Sequence, residues 1–196
     1  QIAFIRDHNI WLRDIRSGKE TQITKDGVDG FAYGEVWDAH FQRVSRRRTG
    51  LPKPVSGVIW SPDGRYIASL RADVRHIPLR HYIVEHIPDD NSFPIVHMDR
   101  RALPEDKMIP KRIVQFISTR TGKIVDVNIP AEEIQGHVTE HFAAQTVWWN
   151  LNNKEFFFDS NTLDGRRQTL FAVNMETGST RVVIEETEEH YYASNS

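Results

Sequence analysis

The sequence has 196 residues, 39% hydrophobic and 27% charged, a balance that supports a buried core and excludes a disordered chain. Its 25 Lys and Arg against 27 Asp and Glu leave a net charge of −2, so no overall field favours nucleic acid or an anionic membrane surface. No apolar run approaches the roughly 20 residues that cross a bilayer, no export leader is recognisable, and the lack of cysteine excludes disulfides, thiolate zinc sites and a cysteine nucleophile.

In chain order, short runs rich in Ile, Val, Phe and Trp alternate with turn residues, and helical periodicity is hard to find. The pattern predicts an all-β chain. The opening stretch, Ile2-Ala3-Phe4-Ile5, Asn9 to Ile15, Ser17-Gly18-Lys19 and Glu20 to Thr24, fits only the later part of a unit that then recurs. The complete unit reads Val58-Ile59-Trp60, Ser61-Pro62-Asp63-Gly64, Tyr66 to Leu70, Ile113 to Ile117, Thr121-Gly122-Lys123 and Ile124 to Val127. It returns as Val147-Trp148-Trp149, Asn150 to Asn153, Glu155 to Phe158, Thr169 to Val173, Thr177-Gly178-Ser179 and Arg181 to Ile184.

Strand, turn, strand, strand, turn, strand is the order of a propeller blade, a small twisted sheet whose faces are covered only when neighbours stack on it. The Asp-Gly and Thr-Gly turns supply the positive φ of tight hairpins, and the Trp closing each first strand suits a wedge between blades. The expected fold is an all-β partial β-propeller of about three four-stranded antiparallel blades with long inserted loops, an arc of a larger ring. Residues 1–24 form a partial blade, 25–57 a connecting loop, 58–127 a blade with an inserted arm at 73–110, 128–146 a connection, 147–185 a blade, and 186–196 the entry to the next. Open blade edges make a homodimer or edge pairing an expectation too.

The long segments are where function is sought. Residues 25–57 hold Asp26-Gly27, Phe31 to Asp38, and a basic cluster of Arg43 and Arg46-Arg47-Arg48; with Phe41 as its sole near aromatic the cluster lacks the interleaved aromatics of a nucleic-acid surface and reads as a solvated loop or a partner for the carboxylates of a neighbouring domain. Residues 73–110 carry five prolines, Pro78, Pro88, Pro94, Pro104 and Pro110. His137-Val138-Thr139-Glu140-His141 has the spacing of a zinc-peptidase helix, with His137 and His141 as ligands and Glu140 as base. The segment runs straight into a strand and no third ligand is identifiable, so the reading is polar residues ahead of a blade, with no metal and no cofactor. His76, His81 and His86 are five apart, which serves neither one helix face nor one strand face.

The residues Asn9-Ile10-Trp11-Leu12, Ser17 to Thr24, Tyr33-Gly34-Glu35-Val36, Ile59 to Ala68 and Ile184-Glu185-Glu186-Thr187 resemble the N-terminal β-propeller of dipeptidyl peptidase IV and its prolyl oligopeptidase relatives. The order decides for this family: a Tyr-x-Glu segment, the Trp-Ser-Pro-Asp-Gly string, a Pro-rich arm before the third strand, and a Glu-Glu-Thr ending. The resemblance implies an eight-bladed propeller capping an α/β-hydrolase domain with a Ser-Asp-His triad, peptide substrates, and a periplasmic or extracellular setting. It also implies a glutamate pair that binds the free N-terminal ammonium of the peptide. Only Glu35 matches that pair; its partner position is Gly34 or missing. Read from the residues alone, Glu35 is a solvated loop carboxylate. No Gly-x-Ser-x-Gly nucleophile elbow occurs in the chain, so this segment is expected to gate and recognise rather than hydrolyse. The same blades also suit a protein- or glycan-interaction module without peptidase activity.

Overall fold

The computed structural model describes residues 1–34, 57–85, 95–100, 107–108, 110–130, 147–150, 155–162, 164 and 166–189, and every regular element among them is a β-strand. Strands β1 (Ile2–Arg6), β2 (Asn9–Arg13) and β3 (Glu20–Gln22) form a three-stranded meander. Its first hairpin turns through Asp7 and His8 at φ 47° and 65°, the left-handed pair that matches the twist of a two-residue hairpin. Strands β4 (Val58–Trp60) and β5 (Tyr66–Asp73) are followed by a separate hairpin of β6 (Leu79–Glu85) and β7 (Ile95–Arg100). Strands β8 (Lys111–Ser118) and β9 (Ile124–Asp126) then complete a second sheet in the order β4-β5-β8-β9. The third sheet, β10 (Val147–Trp149), β11 (Glu155–Asn161), β12 (Arg167–Asn174) and β13 (Thr180–Thr187), is again a four-stranded meander.

All pairings are antiparallel, and β5 and β8 lie in unbroken register from Tyr66 opposite Ser118 to Asp73 opposite Lys111. The chain therefore leaves the second sheet at Asp73 and re-enters directly across from it, which lets a long insertion hang from the sheet without disturbing the ladder. That insertion contains the β6–β7 hairpin, a pair of strands that the proline-rich composition did not reveal.

Period-two alternation sends the two faces of the second sheet to different neighbours. Ala68, Leu70, Val114 and Phe116 face the third sheet, where they meet Val147, Phe156, Phe158, Phe171 and Val173. Ile67 and Ile117 face the first, where they meet Ile10 and Leu12. The expected wedges are in place: Trp60 packs in the seam between the first and second sheets, and Trp149 in the seam between the second and third. Trp149 lies 5.6 Å from the Phe116 ring of one sheet and 4.9 Å from the Phe156 ring of the other.

The turns couple the sheets as well. Gly178, at φ 72°, approaches the end of β9 so closely that a Cβ there would fall 1.9 Å from the Asp126 carbonyl oxygen. Asn128 donates its amide to the Gly178 carbonyl at 2.8 Å, and Thr180 Oγ1 donates to the Asn128 carbonyl at 2.7 Å. The outer strand β13 leaves Val182, Val183 and Ile184 exposed, and Trp148, stacked on Phe157, is exposed on β10 at the opposite edge of the same sheet.

Candidate functional site

The described part of the long connection, Thr24 to Gly34, is a strap that passes from the first sheet to the second. It forms no strand, only isolated bridges between Val28 and Phe31 and between Tyr33 and Arg71. Side chains and close backbone contacts therefore have to hold it. At its start, buried Asn9 receives the Gly27 amide at 2.9 Å and the Thr24 hydroxyl at 3.2 Å, and donates to the Asp7 and Gly27 carbonyls. Thr24 Oγ1 in turn receives the Ile10 amide at 2.9 Å. Gly27 is obligatory here, because an added Cβ would meet the His8 carbonyl oxygen at 2.0 Å.

At its far end the strap closes over Arg71, a residue of β5 that is 1% exposed. Arg71 occupies the same face of the strand as Ile67 and Ser69, and so projects into the seam between the first two sheets. Its Nη1 donates to Asp26 Oδ2 at 2.7 Å, and its Nη2 donates to the carbonyls of Asp26 at 3.2 Å and Phe31 at 2.9 Å. The guanidinium plane is sandwiched between aromatic rings, 3.5 Å from the Phe31 centroid and 3.8 Å from that of Tyr33. Delocalised, weakly hydrated charge suits that position, where a lysine ammonium would be stripped of water with fewer partners. Tyr33 donates its hydroxyl to Asp26 Oδ1 at 2.7 Å, so both carboxylate oxygens are occupied.

The electrostatics follow from these contacts. Burial, reinforced by the hydrogen bond to Asp26, pushes the Tyr33 phenol well above its usual range. Burial alone would raise the Asp26 carboxyl, but the hydrogen bonds from Arg71 and Tyr33 outweigh it and the net shift is downward. The cluster is thus a fixed pair of ionised groups and a neutral phenol. Tyr33 also donates its amide to the His8 carbonyl at 3.0 Å, and Gly34 donates its own to Leu70 at 3.1 Å. The last two residues before Glu35 are in this way pinned to both sheets at once.

The inserted hairpin joins the same cluster from the other side. Arg75 lies 4.5 Å from the Phe31 centroid and binds Asp73 through Nε at 2.9 Å and Nη2 at 2.7 Å, which holds the Asp73 carboxyl down to about 2. Arg100 of β7 donates to the carbonyls of Ile77 at 2.8 Å and Arg75 at 3.3 Å. Elsewhere, a groove of about 480 Å³ is bordered by Arg65, Arg120, Lys123 and Glu176. Arg65 is committed to Asp63, and Arg120, Lys123 and Glu176 stand in solvent, so the groove offers no converging set of donors.

Glu35 follows Gly34 directly and lies outside the described residues, as do His86, His137, Glu140, His141, Arg43 and Arg46 to Arg48. His76 is exposed, and His81 lies on β6. Among the described residues no three His, Asp or Glu gather as a metal site would require. Gly34 has a specific reason not to be a second glutamate: its φ is 64°, and a Cβ would stand 3.0 Å from Val58 Cγ2. Sequence reasoning missed Arg71 and its partner Asp26. The available signal was an arginine two residues beyond Ser69 on the inward register of an apolar strand.

The model of the dipeptidyl peptidase IV (DPP IV) N-terminal region matches residues 1–41 and 53–196. The chain belongs to the DPP IV N-terminal region family. The unmatched residues between contain Arg43 and Arg46 to Arg48, so the basic cluster is an addition to the family pattern. A "Probable dipeptidyl-aminopeptidase B" of Phaeosphaeria nodorum is 34% identical over 189 residues, covering 91% of this chain and 19% of the relative. Another protein of that name, from Metarhizium robertsii, is 26% identical over 172 residues, covering 83% of this chain and 17% of the relative. The crystal structure of Porphyromonas gingivalis dipeptidyl peptidase 4 superposes with a TM-score of 0.70 at 17% identity, over 96% of this chain and 24% of that one. This DPP IV N-terminal region chain thus spans about a fifth of the length of these curated relatives, and its fold is part of a β-propeller.

Proposed function

We propose that this chain is the substrate-gating propeller segment of a dipeptidyl peptidase-type serine peptidase, in which Glu35 receives the N-terminal ammonium of the peptide. The hydrolase domain of such a peptidase, with its Ser-Asp-His triad, is placed by this reading outside residues 1–196. The observation that carries the reading is the family match through residue 41, which includes Glu35, together with a strap that fixes the backbone up to Gly34. A peptide ammonium brings three donors and a full charge, and a carboxylate is the side chain that accepts the donors and neutralises the charge. With Gly34 in the left-handed region, one glutamate does the work of two, and amine recognition is correspondingly weaker than a pair would give.

The test is hydrolysis of Xaa-Pro and Xaa-Ala chromogenic dipeptides by the full-length protein, with free and with blocked amino termini. The free forms are expected to be cleaved and the blocked forms not. Glu35→Gln should raise KM for the free forms by about 10–100-fold, the worth of a charge-assisted hydrogen bond. Equal cleavage of both forms overturns amine recognition, and cleavage of neither leaves a peptidase of different specificity or a binding propeller.

A further inference from the structure

We infer that β13 is a self-association edge: a second copy of this chain pairs antiparallel along Thr180–Thr187, with Arg181 of each copy opposite Glu186 of the other. The outer strands of the other two sheets, β3 and β9, have three residues each, and shortness is one way in which a sheet edge is kept from pairing. β13 has eight. It carries neither proline nor lysine, and no strand among the described residues pairs along its outer side. Val182, Val183 and Ile184 in its middle are 53%, 39% and 55% exposed. A further blade stacked on this sheet covers a face and not an edge, so the outer side of β13 stays open in a complete ring.

Charge and register identify the occupant. Antiparallel self-pairing sets the Arg181 end of each strand against the Glu185-Glu186 end of the other, whereas parallel pairing would set like charge on like. In a regular strand residues 181 and 186 point to opposite faces. The bulge that shifts the register between Leu170 and Phe171 reverses this: Arg181 lies opposite Ala172 and Glu186 opposite Gln168, positions four apart on β12 and therefore on one face. Val182 and Glu185 share the other face in the same way, opposite Phe171 and Thr169. The backbone agrees. The Ser179 carbonyl accepts the Asn174 amide and the Glu188 amide donates to the Arg166 carbonyl, so by alternation Arg181 and Glu186 bond inwards to β12, while Thr180, Val182, Glu185 and Thr187 turn their backbone groups outwards. A two-fold axis between residues 183 and 184 then pairs Thr180 with Thr187 and Val182 with Glu185 through outward hydrogen bonds. It makes Arg181 and Glu186 a non-hydrogen-bonded pair, the kind whose side chains stand closest. Arg181 holds Glu155 through Nε and Nη2, yet its side chain is 58% exposed, which leaves the guanidinium open to a second carboxylate.

The experiment is sedimentation velocity over a concentration series on the full-length protein, as the parent, Arg181→Glu, Glu186→Arg, the double variant and an equimolar mixture of the two single variants. The parent is expected to self-associate. Each single reversal sets like charges opposite each other at both symmetry-related contacts and should raise the dissociation constant about tenfold. The double variant restores opposite charges and should return the constant to the parent value. The mixture should do the same, because a copy with two glutamates then faces a copy with two arginines. A constant that neither reversal moves, as association through another surface would give, overturns the inference, and so do reversals that neither the double variant nor the mixture rescues. A monomeric parent also overturns it and leaves the edge to an extended segment of another protein. Should Arg181→Glu fail to fold without its Glu155 pair, Val183→Lys brings two ammonium groups together beside the axis and should raise the constant about tenfold; an unchanged constant there overturns the inference as well.

Discussion

The two seams of this chain are built from the same repeating strands yet are filled by opposite chemistry. Between the second and third sheets, Phe116, Phe156 and Trp149 form a closed aromatic cluster with centroids 4.9–5.6 Å apart. Between the first and second sheets, the corresponding inward register ends in Arg71, and Tyr33 from the strap takes a place in the core beside Ile10 and Ile67. The difference teaches that the blade repeat tolerates a buried charge where a connecting segment brings its own counter-ion and ring faces. The aromatic seam holds sheets together; the polar seam also ties a connecting segment to them.

The strongest way to break the comparison is to truncate the aromatic seam. Phe116→Ala should cost about 3–5 kcal/mol of unfolding free energy in denaturant titration, the range for a fully buried Phe. A loss no larger than that of the polar-seam variants would show that the apolar seam is not the more stabilising one. In the polar seam, removing the half-exposed partner should hurt more than removing the buried one. Asp26→Ala leaves the Arg71 cation buried with two carbonyls and two ring faces but no counter-ion and should cost about 3 kcal/mol, whereas Arg71→Met leaves a carboxylate that water reaches and should cost less. The reverse order would mean that the two rings, not the ion pair, hold the arginine.

Gly34→Ala comes next, at about 1–2 kcal/mol for a non-glycine residue forced to positive φ, with Val58 displaced in addition. The smallest effect concerns acid. The Asp26 and Asp73 carboxyls are both lowered on folding, so the stability they contribute is complete above the unfolded carboxyl pKa of about 4 and is lost as pH falls, for Asp73 through about 2. Unfolding midpoints measured from pH 6 downward should therefore fall less steeply for Asp26→Asn than for the parent chain. Parallel curves would show that Asp26 contributes by hydrogen bonding without a gain from its ionisation.

Much of the architecture was legible because strand periodicity and turn chemistry are local. Ser61-Pro62-Asp63-Gly64 and Thr121-Gly122 announce hairpins whose glycines do take φ near 70°, and the positions of Trp60 and Trp149 at strand ends mark them as wedges. The β6–β7 hairpin was not legible. Its strands carry Arg80 and His81, the register shifts between His81 and Ile83, and the neighbouring prolines read as punctuation of an irregular arm. Of the site, Tyr33-Gly34-Glu35 could be picked out by resemblance, but the reason for Gly34 could not, since its φ and the closeness of Val58 exist only once strap and sheet are in contact.

By itself, then, the sequence determined the repeat, the strand order within each sheet and the absence of a nucleophile elbow, because alternation, turn residues and short motifs are properties of adjacent positions. Only the tertiary structure decided that Arg71 belongs with Asp26. The two are 45 residues apart, nothing local in either stretch names the other, and a buried cation finds its counter-ion only when stacking of the sheets removes the water that would otherwise have solvated both.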